Sequence, residues 1–188
     1  TRLLNQYSSH EIFSASIGQA FYAEDRRVSL GSSIDQREKS NLMSLLKYQP
    51  DEHWTLQLAS VYDQQQKQSR QTDISIRQRA DKQLLNLEYH FRENSLEQST
   101  LSLVYPLTSN WTGFAKRQYS ELHQKPVQNL VGLAYEGCCW GIKLLYEKKA
   151  NNTFDNLDQR YYFQITFKGL SSAGKDIDQL LEDGILGY

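Results

Sequence analysis

The chain's only two cysteines are adjacent, in the run Tyr135-Glu136-Gly137-Cys138-Cys139-Trp140-Gly141. They fall between two alternating apolar segments, 129–136 and 140–146, which places them in a tight strand-to-strand turn. Neighbouring strand residues point to opposite faces, so a Cys138–Cys139 bridge would need a strained geometry, far from the usual separation of bridged Cα atoms. The pair suits two thiols that each reach a separate, distant partner, and the sequence holds no third cysteine. Either the thiols are free or this chain is a piece of something longer. The other candidate chemistry is thin. His10, His53, His90 and His123 are scattered without metal-ligand spacing and read as surface or interior-wall residues. Asp73, Glu88, Glu136 and Glu147 fall on polar strand faces, where a solvated wall explains them better than a carboxylate pair. Arg77, Arg79, Lys116, Arg117, Lys143 and Lys168 interleave with acids and read as a mixed polar face. There is no glycine-rich phosphate loop and no G-x-S-x-G elbow. The expectation is a protein that is not an enzyme, with no catalytic residues, no metal and no cofactor.

The elements around these residues have period two. Leu85, Leu87, Tyr89 and Phe91 alternate with Asn86, Glu88 and His90. Tyr161, Phe163, Ile165 and Phe167 alternate with Tyr162, Gln164, Thr166 and Lys168. Such alternation reads as strands with one apolar and one polar face. About ten segments follow it, at 10–22, 38–49, 53–63, 70–80, 82–92, 96–106, 110–120, 126–137, 138–149 and 159–170. Most are close to the length of about 9–11 residues that crosses a bilayer as a tilted strand. Short turns at Pro50-Asp51-Glu52, Ala80-Asp81, Leu107-Thr108-Ser109 and Gly137 alternate with longer loops at 23–37, 64–69, 121–125 and 150–158; the loop at 92–95 is a short exception. Trp54, Trp111 and Trp140 each follow a short turn, where an interfacial aromatic belt would lie.

The fold expected is all-β: antiparallel up-and-down transmembrane β-barrel strands. The alternative with the same alternation is a soluble antiparallel β-sandwich acting as a binding module. A net charge of −1 implies no bulk attraction to nucleic acid. Aromatic residues make up 12% of the chain, mostly in the alternating stretches, and no run of about 18 apolar residues suggests a membrane helix. The tail 171–188 breaks the alternation. Asp176, Ile177, Leu180, Leu181 and Ile185 suit a short amphipathic helical turn or an extended arm.

The segment from Leu130 through Gly132, Tyr135, Cys138-Cys139, Lys143 and Tyr146-Glu147 to Lys149 resembles the C-terminal region of the LptD (OstA) lipopolysaccharide-assembly family, with its pattern L-x-G-x-x-Y-x-x-C-C-x-x-x-R-x-x-Y-E-R. Gly169-Leu170-Ser171-Ser172 is similar to the G-L-S-S ending of that family's last strand. Gly184-Ile185-Leu186-Gly187-Tyr188 is similar to its closing G-I-L-P-Y, with Gly187 where Pro is common. Tyr105-Pro106-Leu107-Thr108-Ser109-Asn110-Trp111 resembles its W-P-I-A-D-x-W turn.

The resemblance implies a multi-pass barrel in the outer membrane of a Gram-negative cell that inserts lipopolysaccharide into the outer leaflet. Residues 1–170 would be the C-terminal part of that barrel, an arc of a larger wall, and 171–188 a periplasmic tail. The implied partners are lipopolysaccharide, the plug lipoprotein LptE, the periplasmic bridge protein LptA (through an N-terminal domain absent here) and the barrel-assembly machinery. Cys138 and Cys139 would form disulfides with cysteines near the N-terminus of the full chain, also absent here. Leu85, Leu87, Tyr89, Phe91, Tyr161, Phe163, Ile165 and Phe167 would face lipid. Asn86, Glu88, His90, Gln164, Thr166 and Lys168 would face the lumen.

Overall fold

Segments of alternating polarity joined by tight turns can satisfy their backbone groups by pairing each strand with the next, and this chain does so along its length. The computed structural model describes residues 1–4, 11–22, 39–151, 157–169 and 171–185. Twelve antiparallel strands form a single sheet in chain order: β1 (Arg2–Leu4), β2 (Glu11–Gly18), β3 (Leu42–Tyr48), β4 (Trp54–Asp63), β5 (Gln68–Ala80), β6 (Gln83–Arg92), β7 (Leu96–Pro106), β8 (Trp111–Ser120), β9 (Lys125–Glu136), β10 (Trp140–Ala150), β11 (Leu157–Phe167) and β12 (Ser171–Gly174). Strands β2–β11 are the ten expected segments; the short β1 and β12 add one at each edge. The sheet is not closed among the described residues, since β1 and β12 do not pair. No second sheet packs on it, so the described chain is not a sandwich. His10, the 23–37 loop and the closing residues 186–188 lie outside the described residues.

Side chains that accept backbone hydrogen bonds make the turns. Asp51 Oδ1 accepts from the N–H groups of His53 (2.8 Å) and Trp54 (2.9 Å). Thr108 Oγ1 accepts from those of Asn110 (3.3 Å) and Trp111 (3.1 Å). These Asx and hydroxyl turns hold the chain reversed before the next strand begins. Asp81 (φ 45°) and Asn94 (φ 56°) take left-handed backbone positions that their side chains tolerate. The expected contrast in loop length is smaller than the sequence suggests. β5 begins at Gln68 and β9 at Lys125, so 64–67 and 121–124 are turns of four residues, as is 107–110. The longest connection, 19–41, lies at the end opposite the cysteines, as does 151–156, while 5–10, equal in length to 151–156, lies at the cysteine end.

The register lays the side chains out in rows. Leu84, Val104, Phe114, Gly132, Leu145 and Tyr162 stand side by side across β6–β11. The next row on that face is Asn86, Ser102, Lys116, Leu130, Glu147 and Arg160. The other face carries Leu85, Leu103, Ala115, Val131, Tyr146 and Tyr161.

The tail is not an extended arm. Residues 171–174 pair with β11, and helix α1 (Ile177–Gly184) follows. Gly174 has φ +108°, and a Cβ there would collide with the Phe163 carbonyl oxygen. Asp176 caps the helix by accepting from the N–H of Gln179 (3.3 Å). Ile177, Leu181 and Ile185, spaced four apart, lie on one helical face and are fully buried. They form one core with Leu84, Val104, Phe114, Leu130, Ala134 and Leu145. The hydrophobic core thus lies between α1 and one face of the sheet.

Candidate functional site

The cysteine turn, residues 137–139, links β9 to β10. The N–H of Gly137 donates to the Trp140 carbonyl (2.8 Å) and closes it. Adjacent turns hold it in place: Glu136 N–H donates to the Asn110 carbonyl (2.9 Å), Asn110 Nδ2 to the Glu136 carbonyl (2.8 Å), and Lys168 N–H to the Cys139 carbonyl (2.9 Å). Both thiols are free and exposed, with their Sγ atoms 3.1 Å apart. Beside them Tyr135 packs between Trp111 (5.1 Å between ring centroids) and Trp140 (5.0 Å).

The face under α1 carries the residues expected to line a lumen. His90 pairs directly across the strands with Asp73, Nδ1 to Oδ1 2.7 Å, and its Nε2 lies 3.7 Å from Glu88. Asn86 is buried in the row that includes Lys116 and Glu147. Tyr162 OH donates to Glu147 (3.0 Å). Gln164 is buried, and its Oε1 accepts the N–H of Ile177 (2.9 Å), fastening the start of α1. Its cross-strand neighbour Lys143 forms an ion pair with Asp178 of the helix. Thr166 continues the row toward the short turns, opposite Gly141. Lys168 lies just past the end of β11, exposed in the turn.

This face also holds an apolar patch that the alternation does not reveal: Leu84, Val104, Phe114, Leu130, Ala134 and Leu145 sit on it and receive α1. The signal was present as breaks in the alternation. Leu84-Leu85, Leu103-Val104, Leu130-Val131 and Leu144-Leu145 are adjacent apolar pairs, and in each pair one member must point to the polar face.

All eight residues expected to face lipid stand on the other face. Leu85 and Tyr161 share a row, and Phe163, Ile165 and Phe167 continue down β11 toward the short turns. No described element covers this face. Tyr161 is 76% exposed, Phe163 58%, Val131 53% and Leu144 51%. A water-soluble monomer rarely exposes so broad an apolar patch. Trp54, Trp111 and Trp140 open β4, β8 and β10 on this face, all at the short-turn end. Among the described residues no group of three His, Cys, Asp or Glu side chains could hold a metal ion, and no helix is long and apolar enough to cross a membrane.

Comparison with known proteins points one way. A family profile described as LptD, LPS transport system D, matches residues 1–111. That stretch ends before the cysteine turn, so the profile match and the double-cysteine resemblance lie in different parts of the chain. The chain is 31% identical over 199 residues to an LPS-assembly protein LptD of Xylella fastidiosa, covering all of this chain and 25% of the relative. It is 31% identical over 190 residues to one of Nitrosococcus oceani (26% of that protein) and 28% identical over 207 residues to one of Xanthomonas campestris pv. campestris (25%). The chain therefore spans about a quarter of the length of the curated relatives it matches. With a family match over more than half of its residues and relatives aligned along all of it, the chain belongs to the LptD family.

Proposed function

We propose that these strands are part of the wall of an outer-membrane barrel that delivers lipopolysaccharide to the outer leaflet. The observation that carries the reading is the contrast between the two faces. One is an uncovered apolar surface edged by tryptophans at one end. The other is polar and, around its apolar patch, closed by α1. Bilayer-spanning strands need that contrast, because lipid and a wet interior lie on opposite sides of one sheet. The family membership supplies the cargo, and the chain's role is structural rather than enzymatic.

In this reading the uncovered face, with Leu85, Leu87, Tyr89, Phe91, Tyr161, Phe163, Ile165 and Phe167, meets lipid. Asn86, Glu88, His90, Gln164 and Thr166 line the lumen, and Lys168 sits at its rim. The short-turn end faces the periplasm, as short turns do in such barrels. The edges β1 and β12 pair with further strands, since a lone arc would leave both ladders open. LptE as plug, LptA as periplasmic donor and the barrel-assembly machinery are the expected partners. Cys138 and Cys139 then lie in an oxidising compartment, each bridged to a distant cysteine.

The test is a fluorophore scan along residues 159–167 of the full-length protein in lipid nanodiscs, on a background in which every native cysteine is changed to Ser. Lipid quenching should rise at 161, 163, 165 and 167 and fall at 160, 162, 164 and 166. Equal aqueous exposure of both sets would refute the reading.

A further inference from the structure

On the uncovered face, one row differs in charge from those below it. The register places Ile76, Leu87, Leu101, Arg117, Asn129 and Lys148 side by side across β5–β10. The rows nearer the short turns, such as Tyr105, Gly113, Leu133, Leu144 and Phe163, carry no charge. Arg117 and Lys148 are two strands apart, about 10 Å at ordinary strand spacing. Lys148 Nζ lies over the Tyr146 ring, 5.8 Å from its centroid. Neither cation has an ion-pair partner among the described residues.

Two carboxylates on this face, Glu97 and Glu121, are engaged at the loop end. Tyr89 OH donates to Glu97 (2.9 Å) and Ser99 Oγ to Glu121 (3.0 Å). Glu97 stands four residues before Leu101 on β7, the cross-strand partner of Arg117, a separation of about 13 Å along the strand. Arg117 also lines a groove whose other walls are mainly Ile74, Ile76, Leu87, Leu101 and Tyr119, with Glu88 from the opposite face also reaching it. From Trp140 to Lys148 is eight residues, about 27 Å along the strand and about 20 Å along the membrane normal at the usual barrel tilt. The cations therefore lie near the far boundary of an apolar band about 25 Å tall, where long basic side chains can reach the headgroups.

We infer that this row is an exterior cradle for an outer-leaflet lipid carrying two phosphoryl groups. The Arg117 guanidinium and Lys148 ammonium each take one phosphoryl group, with the Asn129 amide between them. An acyl chain lies in the groove along Ile76, Leu87 and Leu101. Charge selects the occupant: two unpaired cations above an apolar surface fit an anionic lipid and give a neutral one no advantage. The inference rests on the proposed lipid-facing orientation of this face.

The probe is lipid A against its dephosphorylated form, titrated into the detergent-solubilised full-length protein and counted by native mass spectrometry. The unmodified protein should bind lipid A at least tenfold more tightly. Arg117→Gln/Lys148→Gln should lose about tenfold in lipid A affinity and keep its affinity for the dephosphorylated lipid. Arg117→Lys/Lys148→Arg should stay within about threefold of the unmodified protein. No preference for lipid A in the unmodified protein, or an unchanged double variant, overturns the inference. The fluorophore scan separates the two failures. Period-two quenching with no lipid A preference removes the cradle alone, whereas loss of that period removes the orientation beneath it.

Discussion

Truncating Leu181 should undock the C-terminal helix without unfolding the sheet. Leu181 is fully buried between Ile177 and Ile185, in one cluster with six sheet residues. Removing a buried leucine side chain down to Ala costs about 2–5 kcal/mol, depending on how far the site collapses. Collapse is limited here, because the sheet half of the cluster is held rigid by strand pairing on both sides. Among the described residues, other fastenings of α1 include the Gln164–Ile177 hydrogen bond, the Lys143–Asp178 ion pair, the Lys175 N–H bond to the Phe163 carbonyl and the four-residue pairing of β12. At about 3 kcal/mol, and with a factor of ten for each 1.4 kcal/mol, the helix should open about 100-fold more often. Hydrogen exchange with mass spectrometry on the solubilised protein would read this as a loss of about two decades of protection in the peptide covering 175–185. Strands β6–β10 should change by less than about threefold. Gln179→Ala, on the exposed side of the helix, is the control and should shift protection by no more than a surface substitution does, about 0.5 kcal/mol. Unchanged protection for Leu181→Ala would show that α1 is not seated as described. A uniform loss over the whole sheet would show that helix and sheet open as one unit.

Three further outcomes follow from other parts of the molecule. Val131→Arg, in the middle of the uncovered face, should cost about 2–4 kcal/mol in denaturant titrations in liposomes, the penalty for Arg near a bilayer midplane; a cost below about 0.5 kcal/mol, normal for a water-exposed site, would count against lipid contact. Gly132→Ala would place a Cβ 2.8 Å from the Leu144 carbonyl oxygen and 2.9 Å from Leu145 Cγ, and should lower stability by about 1–3 kcal/mol in the same titration; an unshifted midpoint would mean that β9 and β10 are less closely apposed than described. Cys138→Ser and Cys139→Ser should each retain one long-range bridge on non-reducing gels of the full-length protein, and only the double change should lose both; a Cys138–Cys139 disulfide as the main species would overturn that connectivity.

The strands were legible because their determinant is local. A side chain on a strand has two choices of face, so Leu85, Leu87, Tyr89 and Phe91 against Asn86, Glu88 and His90 declare both the element and its two surfaces within a few residues. Turn residues such as Asp51 and Thr108 are local in the same way, since each bonds a backbone group two or three positions on. The adjacent cysteines declared a turn by the same reasoning.

Period two names the faces but not what covers them. The polar-face positions of Leu84, Val104, Phe114, Leu130 and Leu145 register only as faults in the alternation. They become a patch only once four hairpins bring residues up to about 60 positions apart into neighbouring rows. The tail is ambiguous for the same reason. Ile177, Leu181 and Ile185 form a stripe too short to be stable as an isolated helix in water, and the sheet face beneath them decides between helix and arm. Arg117 and Lys148, 31 positions apart, read as unrelated surface charges until β9 sets them in one row. Pairing and facing are properties of a few consecutive residues, so the sequence alone determined them. Burial and grouping depend on which distant residues the pairing makes neighbours, and only the assembled sheet decided those.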